Sequence, residues 1–249
     1  MSKGSLSAVP TSTNVVQKTP DEPPPYEPRK ETILFIASLF SSGDYDCRRV
    51  KEFLERIGFH VIAPNLTAEQ LSNSNTAILF LAGLIKTPSG DGRAHVIGLS
   101  VCANLAFKLA TAYPDLVASV IIFGPVVCLR FFQPLLVLPI YVVNRMVSRR
   151  MWATKFILRQ CYSISKLLGV PENLESLKAK TTIIMQSQDF TIFAAMVLRR
   201  KLCSCPVLVR ELTYGGGHFW NRANPKLFAK TIVASITNVW PQEVDVEFL

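Results

Sequence analysis

The sequence of 249 residues predicts an α/β fold: a mostly parallel sheet of about six strands, helices on both faces, and a helical insertion late in the chain. Three observations carry this. Short unbroken apolar runs recur between residues 32 and 212, helix-patterned segments alternate with them, and 49% of the residues are hydrophobic. A strand buried on both faces has no polar alternation, and a parallel neighbour requires a crossover to bring the chain back. The hydrophobic content is enough to close one sizeable core.

Residues 1–31 are rich in Ser, Thr, Pro and charge, without a hydrophobic period, and read as a disordered tail. From residue 32 the pattern changes abruptly. Residues 32–37 (TILFIA) read as the first strand, 48–57 as a helix ended by Gly58, and 59–63 (FHVIA) as a second strand closed by Pro64. Residues 67–84 read as helical and 94–97 as a third strand, followed by a helix over 103–112. Further strands are expected at 116–123 (LVASVIIF), 181–185 (TTIIM) and 207–212 (VLVREL), then a last helix at 225–239. The folded domain is expected to span 32–242, with 243–249 as a short acidic tail.

Residues 126–178 separate two strands by far more than a crossover needs. The apolar run there is interrupted by Arg130, Gln133, Pro134 and Pro139 and is too short to span a bilayer. Further on, Ala153, Phe156, Ile157, Cys161, Ile164 and Leu168 share one helical face, with Lys155, Arg159 and Lys166 opposite. The insertion is therefore expected to be a helical cap, apolar inside and basic outside.

The formal net charge of +9 is unevenly placed: residues 126–180 hold nine Lys and Arg against Glu172 and Glu175. Such a block favours an anionic partner, such as a membrane surface or a substrate bearing carboxylate or phosphate, and a solvated helix face accounts for it equally well. Nucleic acid is not an expected partner. Six cysteines and no apolar leader near Met1 point to reduced thiols and a cytoplasmic location, with peripheral membrane contact through the basic cap as a further expectation. Cys203 and Cys205 have no second Cys or His cluster beside them, so no metal site is expected. In the tail, Pro23-Pro24-Pro25-Tyr26 fits the proline-rich ligand of a WW domain, although an inert linker fits as well.

The most informative segment is His95-Val96-Ile97-Gly98-Leu99-Ser100-Val101-Cys102. A strand, a sharp turn carrying serine and then a helix would present the Ser100 hydroxyl above the sheet edge, with the Val101 amide facing a developing oxyanion. The place two residues after the serine, where a small residue is wanted, holds Cys102, whose Cβ can crowd the crossing. Of three histidines, His60 lies within a strand and His95 begins one, whereas His218 follows Gly215-Gly216-Gly217 after the last strand. That loop can return an imidazole over the sheet. Asp189, the only acid between Glu175 and Glu211, follows the TTIIM strand and suits either orientation of the imidazole or capping of the next helix.

The order Ser100, Asp189, His218 resembles that of the α/β-hydrolase superfamily. The resemblance runs through residues 32–240. It implies an α/β-hydrolase fold, a Ser100–Asp189–His218 triad, and an oxyanion amide from Leu39 or Phe40 beside that of Val101. It departs from the family at Ser38-Leu39-Phe40, where His-Gly is usual, and at Cys102. Residues 59–66 (FHVIAPNL) match the family strand that ends Pro-Asp-Leu, with Asn65 for the aspartate. The implied activity is serine hydrolysis of an ester, thioester or lactone without a cofactor. The cap residues Phe131, Phe132, Leu135, Leu136, Trp152 and Phe156 imply a lipophilic acyl or polycyclic substrate. Acyl transfer from the same acyl-enzyme, and an inactive hydrolase fold that serves as a binding or scaffold protein, remain as alternatives.

Overall fold

In the computed structural model, the described residues are 31–37, 43–67, 70–71, 73–87, 92–126, 174–184, 196–198, 200, 202, 210–212, 218, 220–240 and 246–248. The elements that follow are those of this set.

Five strands form one parallel sheet in the order β2-β1-β3-β4-β5: β1 (Thr32–Ile36), β2 (His60–Ile62), β3 (Ala94–Leu99), β4 (Val117–Phe123) and β5 (Lys180–Ile184). Helices α1 (Gly43–Arg56), α2 (Ser74–Ile85) and α3 (Ala103–Ala112) supply the crossovers between β1 and β4. A short helix, α4 (Trp220–Ala223), and a longer one, α5 (Pro225–Thr237), complete the layers. About six strands were expected, and the parallel sheet has five. Of the last expected strand, 207–212, only β6 (Arg210–Leu212) lies among the described residues; it runs against β5 and pairs antiparallel with β7 (Val246–Phe248). The segment expected as an acidic tail therefore carries a strand, because β6 offers a backbone edge on which the chain end can pair.

Period-two alternation divides the strands between two cores. Leu34 and Ile36 of β1, with Val96, Val120 and Ile122, pack under α2 and α3 beside Leu81, Leu105 and Phe107. Ile33 and Phe35, with Ile97, Ile121 and Phe123, face α1, α4 and α5 beside Val50, Leu54, Trp220 and Phe228. All five residues of β1 are buried, so this strand needed apolar side chains throughout. Leu174 and Leu177, at the end of the expected cap, are buried in the first core, which returns the chain to the sheet just ahead of β5.

Local chemistry sets the element ends. Helix α1 starts five residues earlier than the apolar pattern suggested. The Gly43 amide donates to Asn65 Oδ1 at 2.7 Å, and a Cβ at residue 43 would lie 2.4 Å from the Ala63 carbonyl oxygen. The expected helix over 67–84 is interrupted. Thr67 and Gln70 exchange side-chain to amide bonds of 2.8 and 3.2 Å, a reciprocal cap, and Asn73 then starts a new N-terminus for α2.

The strand order reverses direction between β1 and β3, which are neighbours although not consecutive in the chain. At such a switch point the loops leaving the two strand ends diverge to opposite faces and open a crevice. Ser100 sits at the end of β3, at that crevice.

Candidate active site

Ser100 begins a turn of 3-10 helix (Ser100–Cys102) between β3 and α3 and has φ +56. A non-glycine residue in this left-handed region is strained, and a strand-to-helix reversal within one residue requires it. Close packing of the turn explains Gly98: a Cβ there would stand 2.7 Å from Ala103 Cα and 3.0 Å from Ala106 Cβ. The crowding anticipated at Cys102 thus falls at Gly98. Cys102 has φ −74, an ordinary right-handed value, and its side chain is buried in the core beneath α2 and α3. Burial, with Asp46 as a secondary influence, pushes its thiol up to about 12, so it is no nucleophile at neutral pH.

His218 Nε2 lies 2.9 Å from Ser100 Oγ, across 118 residues of sequence. This is hydrogen-bond distance, and with Nδ1 carrying the proton, Nε2 accepts from the hydroxyl. A cavity at this contact is lined by Asp46, Leu99, Ser100, Phe123, His218, Trp220, Asn221 and Phe228. Its floor is aromatic. The Phe123 and Phe228 rings are 4.1 Å apart, and Trp220 meets Phe228 edge-on at 4.8 Å. Trp220, two residues after His218, is therefore wedged into the core by rings from β4 and α5.

His95 is accounted for elsewhere. At the opposite, N-terminal end of β3, its Nδ1 is 2.8 Å from Ser119 Oγ and its Nε2 is 3.8 Å from Glu31. His60 lies within β2. Of the expected site residues, Ser100, Val101 and His218 are among the described ones: Ser100 and His218 are in contact, and Val101 follows the serine in the turn. Asp189, Leu39 and Phe40 lie outside the described residues, as do Phe131, Phe132, Leu135, Leu136, Trp152 and Phe156. The same holds for Pro23 to Tyr26, for Cys203 and Cys205, and for all of the expected cap between residues 127 and 173.

Asp46 was not anticipated. Its side chain is 1% exposed, and its Oδ1 accepts from Arg222 Nε at 2.9 Å and contacts Arg222 Nη2. The only sequence signal was an acid near the start of a helix, which ordinarily means a favourable charge at its N-terminus. Among the described residues, no group of three or more His, Cys, Asp and Glu could hold a metal, and no helix is long and apolar enough to cross a membrane.

No family model matches the chain. An AB hydrolase superfamily protein of Gibberella zeae is 25% identical over 227 residues, covering 83% of this chain and 80% of that protein. Among solved structures, an esterase from Exiguobacterium antarcticum superposes with a TM-score of 0.64 at 11% identity, covering 84% of this chain and 93% of that one. An esterase from Pyrococcus furiosus gives 0.63 at 16% identity, over 84% of this chain and 82% of its own. The thioesterase domain from the curacin biosynthetic pathway gives 0.58 at 17%, covering 84% and 92%. The chain has the fold of the α/β-hydrolase superfamily, as its parallel sheet and strained serine turn already indicate.

Proposed function

We propose that the protein is a serine hydrolase that cleaves an ester, thioester or lactone of a lipophilic acyl or polycyclic substrate. One observation carries the reading: the 2.9 Å contact of His218 Nε2 with Ser100 Oγ at a left-handed turn heading a helix. The His218 imidazole takes the Ser100 proton as the hydroxyl oxygen attacks the carbonyl carbon. The oxyanion is held by the Val101 amide and one from Leu39 or Phe40, and Asp189 orients the imidazolium. His218 then protonates the departing alkoxide or thiolate, leaving an acyl group on Ser100. Water, deprotonated by His218, attacks the acyl-enzyme, and the acid and the free hydroxyl are restored.

The aromatic floor of the cavity supports an apolar acyl group. That two superposable proteins are esterases and a third is a thioesterase domain agrees with ester or thioester chemistry. A fluorophosphonate probe tests the reading: labelling of the wild-type protein is expected, with loss in Ser100→Ala and in His218→Ala. Persistent labelling in Ser100→Ala would remove Ser100 as nucleophile, and absence of labelling in folded wild-type protein would favour a binding role.

A further inference from the structure

We propose that Asp46 and Arg222 form a clamp that positions the His218 imidazole against Ser100, an inference that rests on the roles given to those two residues above. Three glycines precede His218 in sequence and have no side chains with which to anchor it. On its other side, α4 begins two residues later. There two consecutive residues of α4 grip one residue of α1. Arg222 Nε donates to Asp46 Oδ1 at 2.9 Å, with Nη2 on the same oxygen, and Asn221 Nδ2 donates to the Asp46 carbonyl at 3.1 Å.

The α1 end of this grip is itself fixed. The Gly43 amide is bonded to Asn65 Oδ1, and backbone from residues 63 and 64 fills the space where a Cβ would go. On the outer side, the Arg222 guanidinium lies 4.8 Å from the centroid of the Tyr45 ring. The side chain is thus held between Asp46 and Tyr45 in one orientation, which a planar, rigid guanidinium permits and a lysine does not. Asp46 also lines the cavity with Ser100 and His218.

Stability is a weak reason for such a pair: Asp46 is buried but the Arg222 side chain is 36% exposed, so solvent screens the attraction while the carboxylate still loses its hydration. Geometry is the better reason. An ion pair of fixed fork geometry sets the register of α4 on α1, and α4 carries the chain from His218. A displacement of the imidazole on the order of 1 Å costs about 100-fold in rate.

The test uses the full chain and three variants: Asp46→Leu/Arg222→Leu, which replaces the pair with apolar volume, Arg222→Lys, which keeps the charge, and Asp46→Asn. Thermal melting reports the fold, the fluorophosphonate labelling rate reports activation of Ser100, and the ring nitrogen resonances of His218, identified by their loss in His218→Gln, report its setting. We expect labelling to slow by about 10- to 100-fold, and the His218 resonances to move, in variants that still melt cooperatively. A folded double variant, or folded Arg222→Lys should the double variant unfold, that labels at the wild-type rate with unmoved resonances overturns the clamp. Should the wild-type protein fail to label, the nucleophile reading falls by itself. The resonances then decide the clamp: movement upholds it, and an unchanged spectrum overturns it.

Discussion

At the residue scale, two small side chains around Ser100 divide the work that the turn requires. Gly98 makes room: the approach of Ala103 and Ala106 leaves no space for a Cβ, so Gly98→Ala must push α3 away from β3. Overpacking of this kind costs about 1–3 kcal/mol. We expect a lower urea midpoint, with slower fluorophosphonate labelling because Ser100 sits on the displaced turn. Cys102 does something different. Its thiol is held neutral to about 12 by burial, against 9.0 for an exposed one. The folded state therefore keeps a proton that the unfolded chain releases above pH 9. The stability this represents is complete below pH 9 and is lost as pH rises from there toward 12, by up to about 1.4 kcal/mol per pH unit. Denaturation from pH 8 to 11 in wild type and Cys102→Ala measures it, and the wild-type stability should fall more steeply.

At the element scale, α5 shows how a helix that backs the site is held at both ends. Asn224 accepts from the Leu227 amide at 3.2 Å, and Pro225 occupies the first turn, where its missing N–H leaves no bond unmade. At the other end, Asn238 adopts φ +65, and Lys180 reaches from β5 to bond the Ser235 carbonyl and Asn238 Oδ1, both at 2.7 Å. A cation on the last carbonyls also meets the negative end of the helix dipole. Asn224→Ala should lower stability by about 1 kcal/mol in urea titration. Asn238→Gly should cost less, since glycine adopts the left-handed conformation freely and the bond it removes, from Lys180 to Asn238 Oδ1, is exposed while Lys180 keeps the Ser235 carbonyl. The caps bear on the candidate site because Phe228 of α5 lines the cavity and packs against Trp220.

At the scale of the molecule, a late segment braces the strand that precedes the histidine in the chain. The three residues of β7 pair with β6, and the segment after β6 leads to His218. Deleting residues 243–249 removes this pairing and leaves β6 without its antiparallel neighbour. The truncated protein should melt at a lower temperature and react more slowly with the probe, and an unchanged labelling rate would show that β6 holds its place alone. The crevice beside Ser100 is also a property of the whole: it exists because β1 and β3 became neighbours, so that their outgoing chains part to opposite faces.

Much of this was readable in the residues. Apolar runs such as 32–36 and 117–123 mark strands because a doubly covered sheet admits no polar alternation. Gly-Leu-Ser before a helical segment and a histidine after three glycines single out Ser100 and His218 as candidates, because a sharp strand-to-helix turn and a glycine-rich loop can each present a side chain above the sheet edge. Element ends were less legible. The start of α1 depends on Asn65, 22 residues away, and the break before α2 depends on competition between two nearby caps. The strand at 246–248 is not legible locally, since three residues carry little period and its partner lies in another part of the chain. Asp46 and Arg222 were invisible as a pair, for nothing local links residues 176 apart. The sequence by itself determined the fold class, the serine-bearing turn and the candidate histidine, all of which follow from short-range sterics and hydrophobic patterning. Only the tertiary structure decided the 2.9 Å contact, the aromatic floor and the ion pair behind the histidine, because each depends on which distant segments the closed core brings together.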